Sequence, residues 1–199
     1  MKVVLKLTVV LLITLLFVDC QQEAEGRPRP HMYPRIDFPL HAMVDMPESD
    51  CPFSAEIPEY AELIFRTEEE GEAVPHACWF DIEFDNLGAT IHCSYYPIDE
   101  EKNFAALVAD AFTMVTKHNV MANYREELEL ENGHGALGLI FDIKGPVASP
   151  YQFYLSDEED HFLRGSLYFD EKVERDSVQD IIDFLKVDLE AFLSTVDFD

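Results

Sequence analysis

From Cys78 to Tyr96 the side chains change character at every step, and that alternation constrains the fold more than anything else in the chain. Cys78, Phe80, Ile82 and Phe84 fall on one side of an extended segment, with Trp79, Asp81 and Glu83 on the other. Past Asn86-Leu87-Gly88 the pattern resumes. Ile91, Cys93 and Tyr95 stand opposite Thr90, His92, Ser94 and Tyr96. A period of two, broken once by a glycine-containing turn, predicts a β-hairpin.

Similar stretches surround it. Arg35 to Phe38 reads as extended, Phe53 to Ile57 alternates, and Ala61 to Arg66 follows a turn at Pro58. Tyr124 to Leu130, Ala136 to Ile143, Tyr151 to Leu155 and His161 to Phe169 predict four more strands. Gly133 and Lys144-Gly145-Pro146 mark turns between them. Two segments have a helical period instead. One is capped by Asp99 and runs to about Lys117, with Phe104, Leu107, Val108, Ala111 and Val115 on one face. The other starts at Asp176, with Gln179 completing a capping box. Its apolar stripe is Val178, Ile181, Ile182, Leu185, Leu189, Phe192 and Leu193.

Strands before and after one helix, closed by a second, predict a single α+β domain over residues 35–199 on a mostly antiparallel sheet. No alternating strand–helix–strand pattern supports a parallel sheet. By analogy, a Mog1/PsbP-like sandwich is compatible with this order.

The first twenty residues place that domain. Lys2 and Lys6, an apolar run from Leu7 to Val18, and a polar break at Asp19-Cys20 form the three parts of a secretory signal over residues 1–19. Ending on a cysteine, it looks like a lipoprotein signal, with Cys20 the expected lipidation site. Asp19 stands where such signals carry a small residue. Residues 20–34 then read as the lipidated N-terminus and a spacer, which Pro28, Pro30 and Pro34 hold extended. The chain is thus expected outside the cytoplasm, tethered to a membrane of the cell envelope, inner or outer, and facing the periplasm.

Charge narrows the partners. Of 14 basic and 40 acidic residues, Lys2, Lys6 and Asp19 belong to the signal, so the remainder carries 12 and 39, a net charge of −27. Such a field repels phosphate backbones, and no nucleic-acid partner is expected. The acids are scattered rather than gathered like ligands, which reads as solubility in salty surroundings.

With Cys20 given to lipid, Cys51, Cys78 and Cys93 remain in a compartment where disulfides persist. A Cys51–Cys78 bridge is expected, closing a loop that holds the acidic, mobile segment Thr67 to Val74. In the chain-entropy model such a loop contributes about 3 kcal/mol. Cys93 reads as a buried strand residue.

Catalytic patterns are weak. His92 and Cys93 are strand neighbours and point to opposite faces, so they cannot form a dyad. There is no G-x-S-x-G motif. His76 and Cys78 have no second pair to complete a zinc site, and the disulfide would remove one of them. No catalytic residue, metal or cofactor is expected. One sheet face is more suggestive. Trp79, His92, Tyr96, Gln152, Tyr154, Arg164 and Tyr168 share the polar-aromatic side, residue types enriched at binding surfaces. The same residues admit a structural reading, with Arg164 paired to Asp81 or Asp157 and the tyrosines packed under a helix.

Several runs, in order along nearly the whole chain past the signal, resemble the gliding-motility lipoprotein GldD family of the Bacteroidetes. They are Arg35-Ile36-Asp37-Phe38-Pro39, Cys51-Pro52-Phe53-Ser54, Cys78 to Phe84, Ile91-His92-Cys93-Ser94-Tyr95, and Phe141 through Asp157 to Phe169. The resemblance implies an envelope lipoprotein needed for surface gliding and tied to type IX secretion. It implies no enzymatic activity. The function expected is therefore a non-catalytic accessory component acting through contacts with gliding and type IX secretion proteins, held to the membrane by its lipid. The alternative is a periplasmic module for a small ligand, a lipid or glycan.

Overall fold

The computed structural model describes residues 36–69, 71–100, 102–119, 121–170 and 178–199. The signal, Cys20 and the spacer lie outside them.

Alternation produced the sheet. Seven antiparallel strands hydrogen-bond in the order β4 (Glu62–Phe65), β7 (Phe80–Phe84), β8 (Ala89–Pro97), β12 (His161–Phe169), β11 (Tyr151–Ser156), β10 (Leu137–Lys144), β9 (Tyr124–Glu131). The hairpin between β7 and β8 turns through a 3-10 segment at Asp85–Leu87, and Gly88 adopts φ 57, which a residue without Cβ accepts freely. Six short strands stand outside this sheet in three pairs: β1 (Met43–Asp45) with β3 (Glu56–Pro58), β2 (Phe53–Ser54) with β13 (Asp197–Phe198), and a small acidic hairpin described below.

Each face of the sheet receives one helix. α1 (Phe104–Asn119) buries Leu107, Ala111 and Val115 against Trp79, Tyr96, Phe141, Ile143, Tyr154 and Phe162. α2 (Val178–Thr195) buries its stripe against the other side, where Phe80, Ile82, Ile91, Cys93, Phe153, Leu163 and Leu167 point. The fold is α+β, mostly antiparallel, with two helices, as the periodicities predict.

Three local expectations are corrected and a fourth is not tested. Asp99 does not cap α1: its carboxylate takes the Lys102 amide (2.6 Å) in a preceding turn, and Asn103 caps the helix through the Ala106 amide (3.0 Å). Residues 36–38 form no strand, because side chains rather than a ladder hold them. The acidic segment Thr67 to Val74 forms a small hairpin, β5 (Glu68–Glu69) with β6 (Glu72–Ala73), turning at Gly71 with φ 86. The expected capping residue Asp176 lies outside the described residues.

Cys51 and Cys78 form the expected disulfide, with Cα atoms 5.6 Å apart. Cys93 is free and buried.

Candidate functional site

The seven residues of the polar-aromatic side do share one face, because strand register puts them there: Tyr154, Arg164 and Ser94 lie in one cross-strand row, and Gln152, Ser166, His92 and Asp81 in the next. The helix α1 then divides them. Trp79, Tyr96, Gln152 and Tyr154 are buried, while His92, Arg164 and Tyr168 remain part-exposed.

The buried members are held by packing and single hydrogen bonds. Trp79 Nε1 donates to the Tyr95 carbonyl at 3.0 Å and its ring meets Tyr96 edge-on at 5.5 Å. Tyr154 stacks on Phe162 with centroids 5.3 Å apart. Gln152 Nε2 reaches the Ser149 carbonyl at 3.4 Å. Burial raises the phenols of Tyr96, Tyr154 and Tyr168 above their usual range, so all three stay neutral; at Tyr96 and Tyr168 the Arg164 charge opposes the rise.

Beyond the edge of α1 the face opens into a recess of about 340 Å³, lined among others by Arg66, Trp79, His92, Ser94, Arg164 and Tyr168. Arg66 lies 5.1 Å over the Trp79 ring, donates to the Cys93 carbonyl at 3.0 Å and to Glu69 at 3.4 Å, and its Nε is 3.2 Å from Asp81 Oδ1. The same Asp81 oxygen is 2.8 Å from His92 Nδ1, and the His92 ring lies 5.4 Å from Tyr168. Arg164 pairs with neither of the partners proposed from sequence. Its Nη1 donates to Asp110 Oδ2 at 2.7 Å and its Nη2 reaches the Tyr96 hydroxyl at 3.4 Å. Asp110 sits on α1, and only the helix crossing this face brings it there. Asp81 is taken by Arg66 and His92, and Asp157 lies 3.9 Å from His161.

Three carboxylates (Glu69, Asp81, Asp110) thus meet two guanidiniums. The recess is a fixed array of donors and acceptors without net positive charge, suited to polar and aromatic contact more than to capturing a free anion. The thiol nearest in sequence cannot join it. Cys93 pairs in register with Gly165 and Phe80, one step from the row of His92, so its side chain enters the opposite core, where burial pushes the thiol well up. His76 Nδ1 accepts the Cys78 amide at 3.2 Å, and the Cys78 sulfur is in the disulfide. Among the described residues no three His, Cys, Asp or Glu side chains are grouped to hold a metal ion.

Arg66 is the contributor missed from sequence. Its signal was available: two positions past Ile64, which pairs with Asp81, it continues the row of outward positions on the polar side.

The family model described as gliding motility lipoprotein GldD matches residues 23–198. The chain belongs to this family. Membership gives it a membrane-anchored place in the cell envelope and a connection to gliding motility. No curated protein matches the sequence. Among solved structures it is similar to the solution structure of cyanobacterial PsbP (CyanoP) from Synechocystis sp. PCC 6803, at 9% identity and a TM-score of 0.44, covering 81% of this chain and 95% of that one. No helix among the described residues is long and apolar enough to cross a membrane.

Proposed function

We propose that this lipoprotein is a non-catalytic accessory component of the gliding and type IX secretion machinery, anchored through Cys20, facing the periplasm, and working by protein–protein contact at the recess. The observation that carries the reading is the immobilised guanidinium pair. Arg66, held by two carboxylates, and Arg164, held by one, each also against an aromatic ring, present their guanidiniums beside His92 and Tyr168 at little further cost in side-chain entropy. Arginine and tyrosine so arranged are what binding hot spots are built from.

Purifying the full-length protein from its own cells in mild detergent tests this. Gliding or secretion subunits come with it, and Arg164→Ala and Tyr168→Ala lose them while melting like the wild type. Asp110, left behind by the first substitution, is exposed to water, so the fold tolerates the loss. Variants that keep every subunit and still glide would overturn the reading.

The recess volume favours one second reading, a small-ligand module, since about 300–1,000 Å³ is the usual size of such sites. Native mass spectrometry then shows an adduct on the wild type that Arg164→Ala loses, and no subunit.

A further inference from the structure

The main sheet ends in two edges of unlike design. β4 is four residues long, whereas β9 runs eight and pairs with β10 in unbroken register, from Glu131 opposite Leu137 to Tyr124 opposite Lys144. Among the described residues no strand pairs with the outer side of β9. Only Arg125 and Leu130 are part-buried, and the other six residues are exposed. An antiparallel edge of this kind offers backbone N–H and C=O groups at every second residue, a template for one more strand.

Edges are ordinarily blunted by shortness, proline, charged side chains or a bulge. Of these β9 has charge alone, and all but one of its charges are negative, so they select among strands rather than exclude every one. Arg125, Glu127, Glu129 and Glu131 share one face, with Arg125 2.6 Å from Glu127. Tyr124, Glu126, Leu128 and Leu130 share the other, where Tyr124 and Leu128 are exposed apolar groups.

We propose that β9 is a docking edge that accepts an extended, basic segment of a partner protein as an eighth strand of the sheet. The charges choose the occupant. Pairing two copies of β9 antiparallel about a two-fold in the centred registers sets Glu127 against its own copy or against Glu129, and like charges directly opposite destabilise a ladder. A strand alternating basic and apolar residues has neither fault: its cations face Glu127, Glu129 and Glu131, and its apolar residues cover Leu128 and Tyr124. Backbone pairing supplies the affinity, and the acids supply selection and salt dependence. This surface is separate from the recess, so the proposal does not depend on the contact reading given there.

Hydrogen exchange read by mass spectrometry on the full chain in mild detergent tests it with three synthetic octapeptides: alternating Lys-Val, alternating Glu-Val, and the Lys-Val peptide with two valines replaced by proline. The Lys-Val peptide slows exchange across residues 124–131 by about tenfold or more, through amides on the open edge. Added salt weakens the effect, and Glu127→Lys with Glu129→Lys removes it, leaving exchange elsewhere unchanged. Glu129→Gln alone gives partial loss if the double variant is poorly folded. Equal protection by the proline peptide would reduce the effect to surface charge and overturn the proposal. So would protection by the acidic peptide, protection confined to other segments, or none at β9.

Discussion

His41 Nδ1 lies 2.7 Å from Asp188 Oδ1, joining residues 147 positions apart. The second carboxylate oxygen accepts the Tyr60 hydroxyl. Asp188 is 1% exposed and sits within the apolar stripe of α2, between Leu185 and Leu189. On the same helix Phe184 stacks on His41 at 4.3 Å and on Phe38 at 4.5 Å. Residues 38–41 form no strand and are fastened to the helix by this clasp.

Asp188 should therefore matter to stability out of proportion to its size. Asp188→Ala strands the Tyr60 hydroxyl, whose pKa burial and the Asp188 carboxylate hold far above the phenol range, so that it is always a donor. The expected cost is about 3 kcal/mol in urea unfolding. Asp188→Asn, which keeps an acceptor for Tyr60, costs about half as much. Equal midpoints for wild type and Asp188→Ala would mean that the clasp is idle.

Cys51→Ser with Cys78→Ser is expected to lower stability by about 3 kcal/mol, since the bridge closes a long loop of the unfolded chain. That loop carries Arg66 and Glu69, so binding at the recess should weaken in the same variant. Iodoacetamide reaches Cys93 only after denaturation, because the residue is 0% exposed and its thiol is pushed up by burial. Labelling of the folded chain at Cys93 would contradict the placement of its side chain.

How much of this was legible beforehand follows from what sets each feature. Strands β7 to β12 were readable because alternation is local, and so was the shared face of His92, Arg164 and Tyr168. The start of α1 was not, since Asp99 and Asn103 are both good caps and the choice depends on where the helix meets the sheet. Nor was the Arg164–Asp110 pair, which exists because a helix crosses that strand. Crossing also decided which of the seven face residues stay accessible, and buried Trp79, Tyr96, Gln152 and Tyr154. Asp188 did leave a trace: an acid inside a run of apolar helix positions signals a buried partner, and His41 is too distant in sequence to be named as one.

Two glycines in the sheet should separate side-chain from backbone crowding. A Cβ at Gly165 would come 2.3 Å from Phe153 Cζ, and Phe153 packs on Phe192 of α2. Gly165→Ala displaces that ring and costs about 1–3 kcal/mol. At Gly138 the Cβ would lie 2.0 Å from the Tyr154 carbonyl oxygen, part of the neighbouring strand's backbone, which has no rotamer to change. Gly138→Ala should therefore lower Tm further than Gly165→Ala. The reverse order would show that the β10–β11 ladder yields more readily than the Phe153 ring.

Glu83 makes the pH dependence of this acidic chain specific. It stands directly opposite Glu62 in the β4–β7 ladder. Its pKa is raised above the ordinary 4.5, first by burial and then by Asp85, Asp81 and Glu62, with His92 opposing. A carboxyl with a raised folded-state pKa keeps its proton in the native state at pH values where the unfolded chain has lost it. The native state therefore binds more protons, and stability falls as pH rises from about 4.5 through the folded value. Glu83→Gln removes that loss: Tm rises modestly at pH 7, and the gain disappears below pH 4.5, where both states are protonated. Salt, by screening the neighbouring acids, should shrink the gain at pH 7. The measurement is the difference in Tm between variant and wild type across the pH range. A gain that persists unchanged below pH 4.5 would assign the effect to side-chain packing and not to charge.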